Sequence, residues 1–318
     1  MSNLLFSFNA VMPVFLLVGI GWIVRRTHLV GESFIDGASK LNFRTGLPAL
    51  LFLGIYQVKG THIFDWKFIA FMTAGCLGSA LILCLTVPKF IRDKKKASAM
   101  IHTIFKPNII ILGYPMAMMI FGSEHCAAIS MLLPVLIPVN NIVAVLILCS
   151  LDPENQGVRS NSIRKAVNGV VKNPIILAAV AAVLLRQGHV PLPTFLLKLL
   201  TSLSNLATPL ALITLGAQMT MKSALSNRRY VASATALKVF VTPLVMVSLA
   251  VALGFRSYEL VTAFMISASP SAVNCYMLAR EMHSDEVLTG EIILSTTLCS
   301  MFIFFFGILI FKNLAILS

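Results

Sequence analysis

FKPNI at residues 105–109 and SPSAVN at residues 269–274 place proline and asparagine at the centres of two apolar segments. A proline inside a membrane helix removes a backbone donor and frees a carbonyl, and neither change can be solvated by hydrocarbon. Such breaks are tolerated only where protein or a water-filled cavity covers the freed groups. Two breaks at corresponding places in two halves of a chain therefore indicate a ligand site near the bilayer midplane.

The composition requires a membrane around this chain. Of its 318 residues, 58% are hydrophobic and 12% are charged, and the mean hydropathy is +0.89. A soluble domain of this size cannot bury so much apolar surface. The net charge of +13 lies in short loops between apolar runs, so nucleic acid is not an expected partner. The six cysteines lie in apolar runs without a CxxC pair, and we predict no disulfide, no metal site and no cofactor.

The apolar runs predict an all-α membrane protein. A helix that crosses the hydrocarbon core needs about 20 apolar residues, and ten segments satisfy this length. They lie near residues 3–24, 34–57, 66–90, 97–121, 124–150, 168–186, 199–219, 231–254, 258–281 and 287–311.

The distribution of Lys and Arg predicts the orientation of these spans. Fifteen basic residues follow odd-numbered spans, whereas six lie on the other side. Because cytoplasmic loops carry the excess of positive charge, both termini are expected outside. The turn-forming loop at residues 151–157 divides the chain into repeats of five spans, residues 1–150 and 151–318. An odd number of spans per repeat makes this a 5+5 inverted repeat, in which broken spans four and nine correspond.

The two breaks supply the candidate binding residues. A cation this deep in a span usually faces a cavity or a partner, although Lys106 could instead snorkel or pair with a carbonyl freed by Pro107. Asparagine and serine offer donors and acceptors that suit a carboxylate, and helix N-termini after the breaks add positive dipole ends. The same side chains could instead satisfy only the broken backbone. The predicted substrate-binding set is Lys106, Pro107, Asn108, Ser269, Pro270, Ser271 and Asn274.

Other polar residues in the spans are accessory candidates. Arg44, with Lys40 on the same helix face, could attract an anion or anchor lipid headgroups. Lys238 is expected at the membrane interface, and His102 or Glu291 could carry a proton or remain a satisfied polar group. The accessory and coupling candidates are Arg44, Asn140, Asn141 and Glu291. No HExxH or GxSxG motif is present, so an enzyme is not predicted.

At these residues the chain resembles the auxin efflux carrier family in its short bacterial form. The resemblance covers essentially the whole chain, and the ninth span is its most specific part. It is carried by MPVFLLVGIG (12–21), GLPALLF (46–52), KNPIIL (172–177), SPSAVN (269–274) and LARE (278–281).

The resemblance implies the fold of the sodium/bile-acid symporters. Spans one, two, six and seven would form a scaffold, and spans three to five and eight to ten would form a moving transport domain. Pro107 with Asn108 and Pro270 with Asn274 would be the crossing residues. A homodimer, an elevator-like motion and a location in the inner (plasma) membrane of a bacterium are also implied.

The expected function is secondary transport of a small organic anion by alternating access. Bacterial relatives are permeases for malonate or other organic acids, and plant relatives export auxin, which makes a carboxylate the implied substrate. Proton or sodium coupling is left open. The alternatives are a receptor or scaffold without transport, a sodium-coupled symporter of the bile-acid type, and a channel.

Overall fold

The computed structural model describes residues 3–57, 65–125, 127–151, 172–218, 227–314 and 316. Throughout these residues the backbone forms helices and connecting turns, and the strand-like feature among them is an isolated antiparallel pairing of Pro107 with Ser271. The prediction of an all-helical protein is therefore confirmed. The loop at residues 152–157, predicted to divide the two repeats, lies outside the described residues.

Two short π-helical turns, π1 and π2, interrupt the α-helices. In chain order the elements are α1 (Asn3–Arg26), α2 (Glu32–Arg44), α3 (Gly46–Tyr56), α4 (Trp66–Phe90), α5 (Lys94–Phe105), π1 (Ile109–Gly113), α6 (Tyr114–His125), α7 (Ala127–Leu151), α8 (Pro174–Gln187), α9 (Thr194–Gln218), α10 (Arg228–Ala236), π2 (Leu237–Val241), α11 (Thr242–Ala252), α12 (Ser257–Ser267), α13 (Asn274–Glu281) and α14 (Glu286–Asn313).

Within the described residues, six helical stretches are long and apolar enough to cross a membrane. They are Asn3–Arg26, Trp66–Phe90, Ile129–Leu151, Thr194–Gln218, Arg228–Ala252 and Glu286–Asn313. Predicted spans four and nine are each divided into two pieces at the expected prolines, and the described part of span six is the shorter helix α8. The ten-span count and the inverted repeat remain predictions.

The second span contains a break that the sequence analysis did not predict. Helix α2 ends at Arg44, Thr45 has φ −128° and ψ −61°, and α3 begins at Gly46. Pro48 then lies in the first turn of α3, where a missing backbone N–H leaves no hydrogen bond unmade. Span two is therefore two shorter helices, because the chain turns before its proline.

The outer surfaces of the long helices are apolar. Leu16 and Ile20 on α1, and Phe302 and Phe306 on α14, are exposed and lie one helical turn apart. Exposed apolar stripes on helices that are long enough to cross a bilayer are suited to contact with lipid chains. Together with the mean hydropathy, they identify an integral membrane protein.

The described chain forms two compact units, each of them discontinuous in sequence. The first unit comprises Met1–Asp65, Ile110–Pro134 and Val171–Thr220. In it α9 packs against α1, α2 and α3, and α3 packs against α8. Glycines allow α1 and α9 to approach closely: a Cβ on Gly216 would meet the carbonyl of Val18, and a Cβ on Gly21 would meet that of Ile213. Such small-residue contacts are typical of membrane helix pairs.

The second unit comprises Trp66–Ile109, Val135–Val170 and Met221–Ser318. In it α14 packs against α5, α10, α12 and α13, and α4 packs against α5. Two N-caps fix the starts of these helices. The Asp93 carboxylate accepts the backbone N–H groups of Lys95 and Lys96, and the Asp285 carboxylate accepts that of Leu288 at 2.9 Å. This unit contains both proline breaks.

Candidate functional site

The two broken segments pair with each other through their backbones. The Asn108 N–H donates to the Pro270 carbonyl at 2.8 Å, and the Ala272 N–H donates to the Lys106 carbonyl at 3.0 Å. These bonds flank the antiparallel pairing of Pro107 with Ser271. Each break therefore supplies donors and acceptors to the other, which satisfies groups that hydrocarbon would leave unpaired. We call this arrangement, residues 106–108 with residues 270–272, the crossing.

Side chains around the crossing complete the repair of the broken backbone. The Ser269 hydroxyl donates to the Met265 carbonyl at 2.6 Å. The backbone N–H of Ser271 donates to the Thr296 hydroxyl of α14 at 3.2 Å, and that hydroxyl donates onward to the Ile292 carbonyl. Ser269 and Thr296 therefore serve the backbone. Thr296 is a residue that sequence reasoning missed, because nothing in α14 marks it as the partner of a distant break.

Most of the predicted binding residues are buried at the crossing. Lys106 is 4% exposed and Asn108 is 5% exposed, whereas Pro107 is partly buried. Asn274, the first residue of α13, has an exposed side chain. The structure thus brings the predicted set into one region of the second unit, with Asn274 at its surface. The buried members of the second break are Ser269, Pro270 and Ser271.

Two buried polar atoms at the crossing lack a protein partner. The amide nitrogen of Asn108 and the hydroxyl of Ser271 make no hydrogen bond in the described part of the chain. Since buried polar groups in native proteins are nearly always paired, each unpaired atom calls for a ligand or water. One of these atoms belongs to the first break and the other to the second.

A second lysine is buried in the same unit. Lys238, in π2, is 1% exposed and is among the largest fully buried side chains. The expectation that it lies at the membrane interface is wrong, because π2 turns its side chain inward between α10 and α11. Among the described residues, neither Lys106 nor Lys238 forms an ion pair with a carboxylate. A lysine at the centre of a membrane helix costs about 2.5–3.5 kcal/mol on insertion scales, so two of them indicate a functional constraint.

Lys238 lines a small cavity that reaches the first break. The cavity has a volume of about 40 Å³. Its polar lining comes from Cys76, Ser79, Asn140, Lys238, Thr242 and Ser267, and Pro107 forms part of its wall. The volume exceeds that of one water-sized sphere but is too small for a whole organic dicarboxylate.

The accessory candidates are spread over both units. Arg44 is exposed at the end of α2 in the first unit. Asn140 is buried in the second unit, where its amide oxygen accepts the Cys76 thiol at 2.6 Å, and Asn141 beside it is partly buried. Glu291 is buried in α14. Of these, Asn140 lines the Lys238 cavity.

His102 connects the first break to the helix after the second. Its Nδ1 lies 2.8 Å from the Ser98 carbonyl, and its Nε2 lies 3.2 Å from the Cys275 carbonyl. A neutral imidazole has a single N–H and can donate to one of these carbonyls, whereas the protonated ring can donate to both. The arrangement holds α5 against α13 and gives His102 a structural role.

Among the described residues, no three His, Cys, Asp or Glu side chains are grouped so that they could hold a metal ion. The cysteines described there are free thiols, and two of them lie near the lysines of the second unit: Cys76 near Lys238, and Cys275 near Lys106 and Lys238. At the crossing the described side chains offer the Lys106 ammonium, the Asn108 amide nitrogen and the Ser271 hydroxyl.

Comparison with known proteins agrees with a transporter architecture. An uncharacterized transporter of Methanothermobacter thermautotrophicus is 26% identical over 301 residues, covering 93% of this chain and 95% of that protein. An uncharacterized transporter of Methanocaldococcus jannaschii is 22% identical over 304 residues, covering 93% and 96%. The lysosomal cholesterol signaling protein of Mus musculus is 23% identical over 227 residues, which are 68% of this chain and 26% of that protein.

The family assignment follows from a match along nearly the whole chain. The family model described as membrane transport protein matches residues 6–308. This range includes both breaks and every helix of the two units except the first three residues of α1 and the last few residues of α14. The chain therefore belongs to the membrane transport protein family, which is the auxin efflux carrier family.

Proposed function

We propose that the protein is a secondary transporter of a small organic anion, with a carboxylate as the transported group. The observation that carries this proposal is the crossing itself. It combines the buried cation Lys106 with two unpaired buried groups, the Asn108 amide and the Ser271 hydroxyl. A carboxylate offers two acceptor oxygens and a negative charge, so it can satisfy all three groups together.

The electrostatics of the crossing support an anion over a cation. No acidic residue occurs between Ala97 and Gly122 or between Leu260 and Arg280. Helix α13 begins just after the second break, and its N-terminus adds a partial positive charge. An amine would meet repulsion from Lys106, whereas a carboxylate would gain attraction from both the charge and the dipole.

The transport mechanism belongs to the same proposal. We assign the moving transport domain to spans three to five and eight to ten, which include the crossing, and the scaffold to spans one, two, six and seven, with an elevator-like alternating-access motion of the transport domain in each protomer of a homodimer. The loop charges support placing both termini outside the inner membrane of a bacterium. Malonate and auxin-like acids are the substrates to test first, and a proton or sodium gradient is the candidate driving force.

Flux measurements on the purified protein test this proposal. Proteoliposomes are incubated with a panel of labelled carboxylates and their matched amides and amines, under imposed proton and sodium gradients. We expect uptake of an acid and rejection of its amine. Lys106→Gln keeps hydrogen bonding but loses the charge, so it should lower the acid-to-amide preference by roughly 10- to 150-fold, as expected for one lost charged hydrogen bond of about 1.5–3 kcal/mol.

The exposed Lys198 of α9 provides the matched control. Lys198→Gln removes the same charge away from the crossing and should leave the preference unchanged. Transport of the amine, or an unchanged acid-to-amide ratio in Lys106→Gln, would show that Lys106 is a structural lysine. A gradient of sodium that drives uptake where a proton gradient fails would favour a symporter of the bile-acid type.

A receptor is the second candidate, because one mouse relative is named a signaling protein. A receptor would bind an acid saturably but would not move it across the membrane, and this result would distinguish it from a transporter. In that case the crossing residues would govern affinity, and gradients would have no effect on uptake. Sustained uptake against a concentration gradient would eliminate the receptor, and would also exclude a channel.

A further inference from the structure

Lys238 is a buried cation in the wall of a small cavity that several polar side chains also line. The residue lies in π2, between α10 and α11, and its side chain is 1% exposed. In the described part of the chain its ammonium forms no ion pair. A buried charge normally has a partner of opposite sign, so the space that Lys238 faces is where that partner would lie.

The hydrogen bonds around the cavity leave one amide donor of its lining unused. The Cys76 thiol donates to the amide oxygen of Asn140 at 2.6 Å, which leaves the amide nitrogen of Asn140 as a donor. The hydroxyl hydrogens of the lining serines and threonine are used within the protein. Ser79 donates to the Cys76 carbonyl at 2.8 Å, Thr242 to the Leu237 carbonyl at 2.8 Å, and Ser267 to the Ala263 carbonyl at 2.7 Å.

The charge of the lining residues and the volume of the cavity both limit which ligand can bind. Among the described residues that line the cavity there is no Asp or Glu, and Lys238 is the charged one. The volume of about 40 Å³ accommodates one small ion or a few waters. Water alone would leave the ammonium without a counter-charge, whereas a small anion would compensate it and accept from the Asn140 amide nitrogen.

We propose that this cavity is a binding site for a small monovalent inorganic anion of the chloride class. The site goes beyond the proposed organic-anion transport. It is formed by Lys238 and Asn140, whereas the proposed carboxylate site is formed by Lys106, Asn108 and Ser271. Pro107 forms part of the cavity wall. The bound anion would therefore lie next to the first break and stabilise the folded second unit.

Thermal unfolding of the detergent-purified protein tests the site, because a ligand that binds the folded state raises the Tm in a saturable way. Chloride or bromide replaces methanesulfonate, a larger anion of the same charge, at constant ionic strength. The wild type should show a saturable rise in Tm with chloride and bromide and none with methanesulfonate. Lys238→Met keeps the apolar stem and should weaken chloride binding at least 10-fold. The exposed Lys198→Met should behave like the wild type.

Asn140→Asp keeps the proposal testable if Lys238→Met does not fold. Its carboxylate has the shape of the amide and supplies a tethered negative charge beside Lys238. This variant should fold and lose its response to chloride. Equal Tm values in chloride and methanesulfonate for the wild type, or a wild-type chloride response in Asn140→Asp, would show that the cavity holds water only. The measurement contains no organic anion and no flux, so its outcome is independent of whether carboxylate transport is found.

Discussion

Truncation of Asn108 should separate ligand binding from folding. The Asn108 amide nitrogen is buried and has no hydrogen-bond partner in the described part of the chain. Asn108→Ala therefore removes a donor that stabilises nothing in the protein, and the backbone bond from Asn108 N–H to the Pro270 carbonyl remains. We expect the free energy of unfolding to change by less than about 1 kcal/mol, because no hydrogen bond of that donor is lost.

The same substitution should strongly weaken ligand binding. If the amide nitrogen binds the carboxylate, the complex loses a hydrogen bond to a charged group and leaves an oxygen of the ligand unpaired. Such a loss is worth about 1–3 kcal/mol, or roughly 5- to 150-fold in Kd. Titration calorimetry with the transported acid measures the affinity, and thermal unfolding of the same sample measures the stability.

Asn173→Ala is the matched control. Asn173 caps α8 by accepting the Ile175 N–H at 2.9 Å, and it lies in the first unit. Its truncation should cost about 0.5–2 kcal/mol of stability and leave the affinity of the folded protein unchanged. Wild-type affinity in Asn108→Ala, with a stability loss as large as that of Asn173→Ala, would refute the reasoning and make Asn108 a structural residue.

Three further predictions concern packing, the crossing and topology. Gly216→Ala should destabilise the protein by about 1–3 kcal/mol, because the new Cβ meets the Val18 backbone. Gly19→Ala has open space and should stabilise it slightly. Chemical denaturation measures both changes in the free energy of unfolding, and changes of the same sign would contradict the close approach of α1 and α9. Thr296→Val removes the acceptor of the buried Ser271 N–H and should cost about 1–3 kcal/mol of stability. Thr297→Val loses only a hydrogen bond to its own helix and should cost less. A lower Tm for Thr297→Val than for Thr296→Val would contradict the role of Thr296 as that acceptor. Cysteines placed at Ser2 and Ser318, both outside the described residues, should react with an impermeant reagent from outside the cell; reaction only after the inner face is opened would reverse the topology.

The proline breaks illustrate what the sequence could predict. Pro107 and Pro270 each remove a backbone donor in an apolar run, and the structure ends α5 and α12 just before them. The membrane environment follows equally directly from the hydropathy. These properties depend on covalent chemistry and on local composition, so no tertiary contact is needed to infer them.

Span two shows where local reasoning fails. Its proline, Pro48, is harmless in the first turn of α3, and the actual break lies at Thr45. Pro48 cannot donate to the Arg44 carbonyl, and its ring crowds that carbonyl, so the chain favours a break at this point. The way in which α2 and α3 pack against α9 beyond this break is not specified by the local sequence.

The sequence by itself determined that this is a helical membrane protein with two broken segments rich in polar groups, because hydropathy and proline act on the backbone wherever the chain lies. The tertiary structure alone decided which groups meet. It paired Asn108 with Pro270, recruited Thr296 as the acceptor for Ser271, and buried Lys238 beside a cavity. The depth of a lysine in a span depends on the elements packed around it, and a hydrogen bond across 25 or more residues depends on the whole fold.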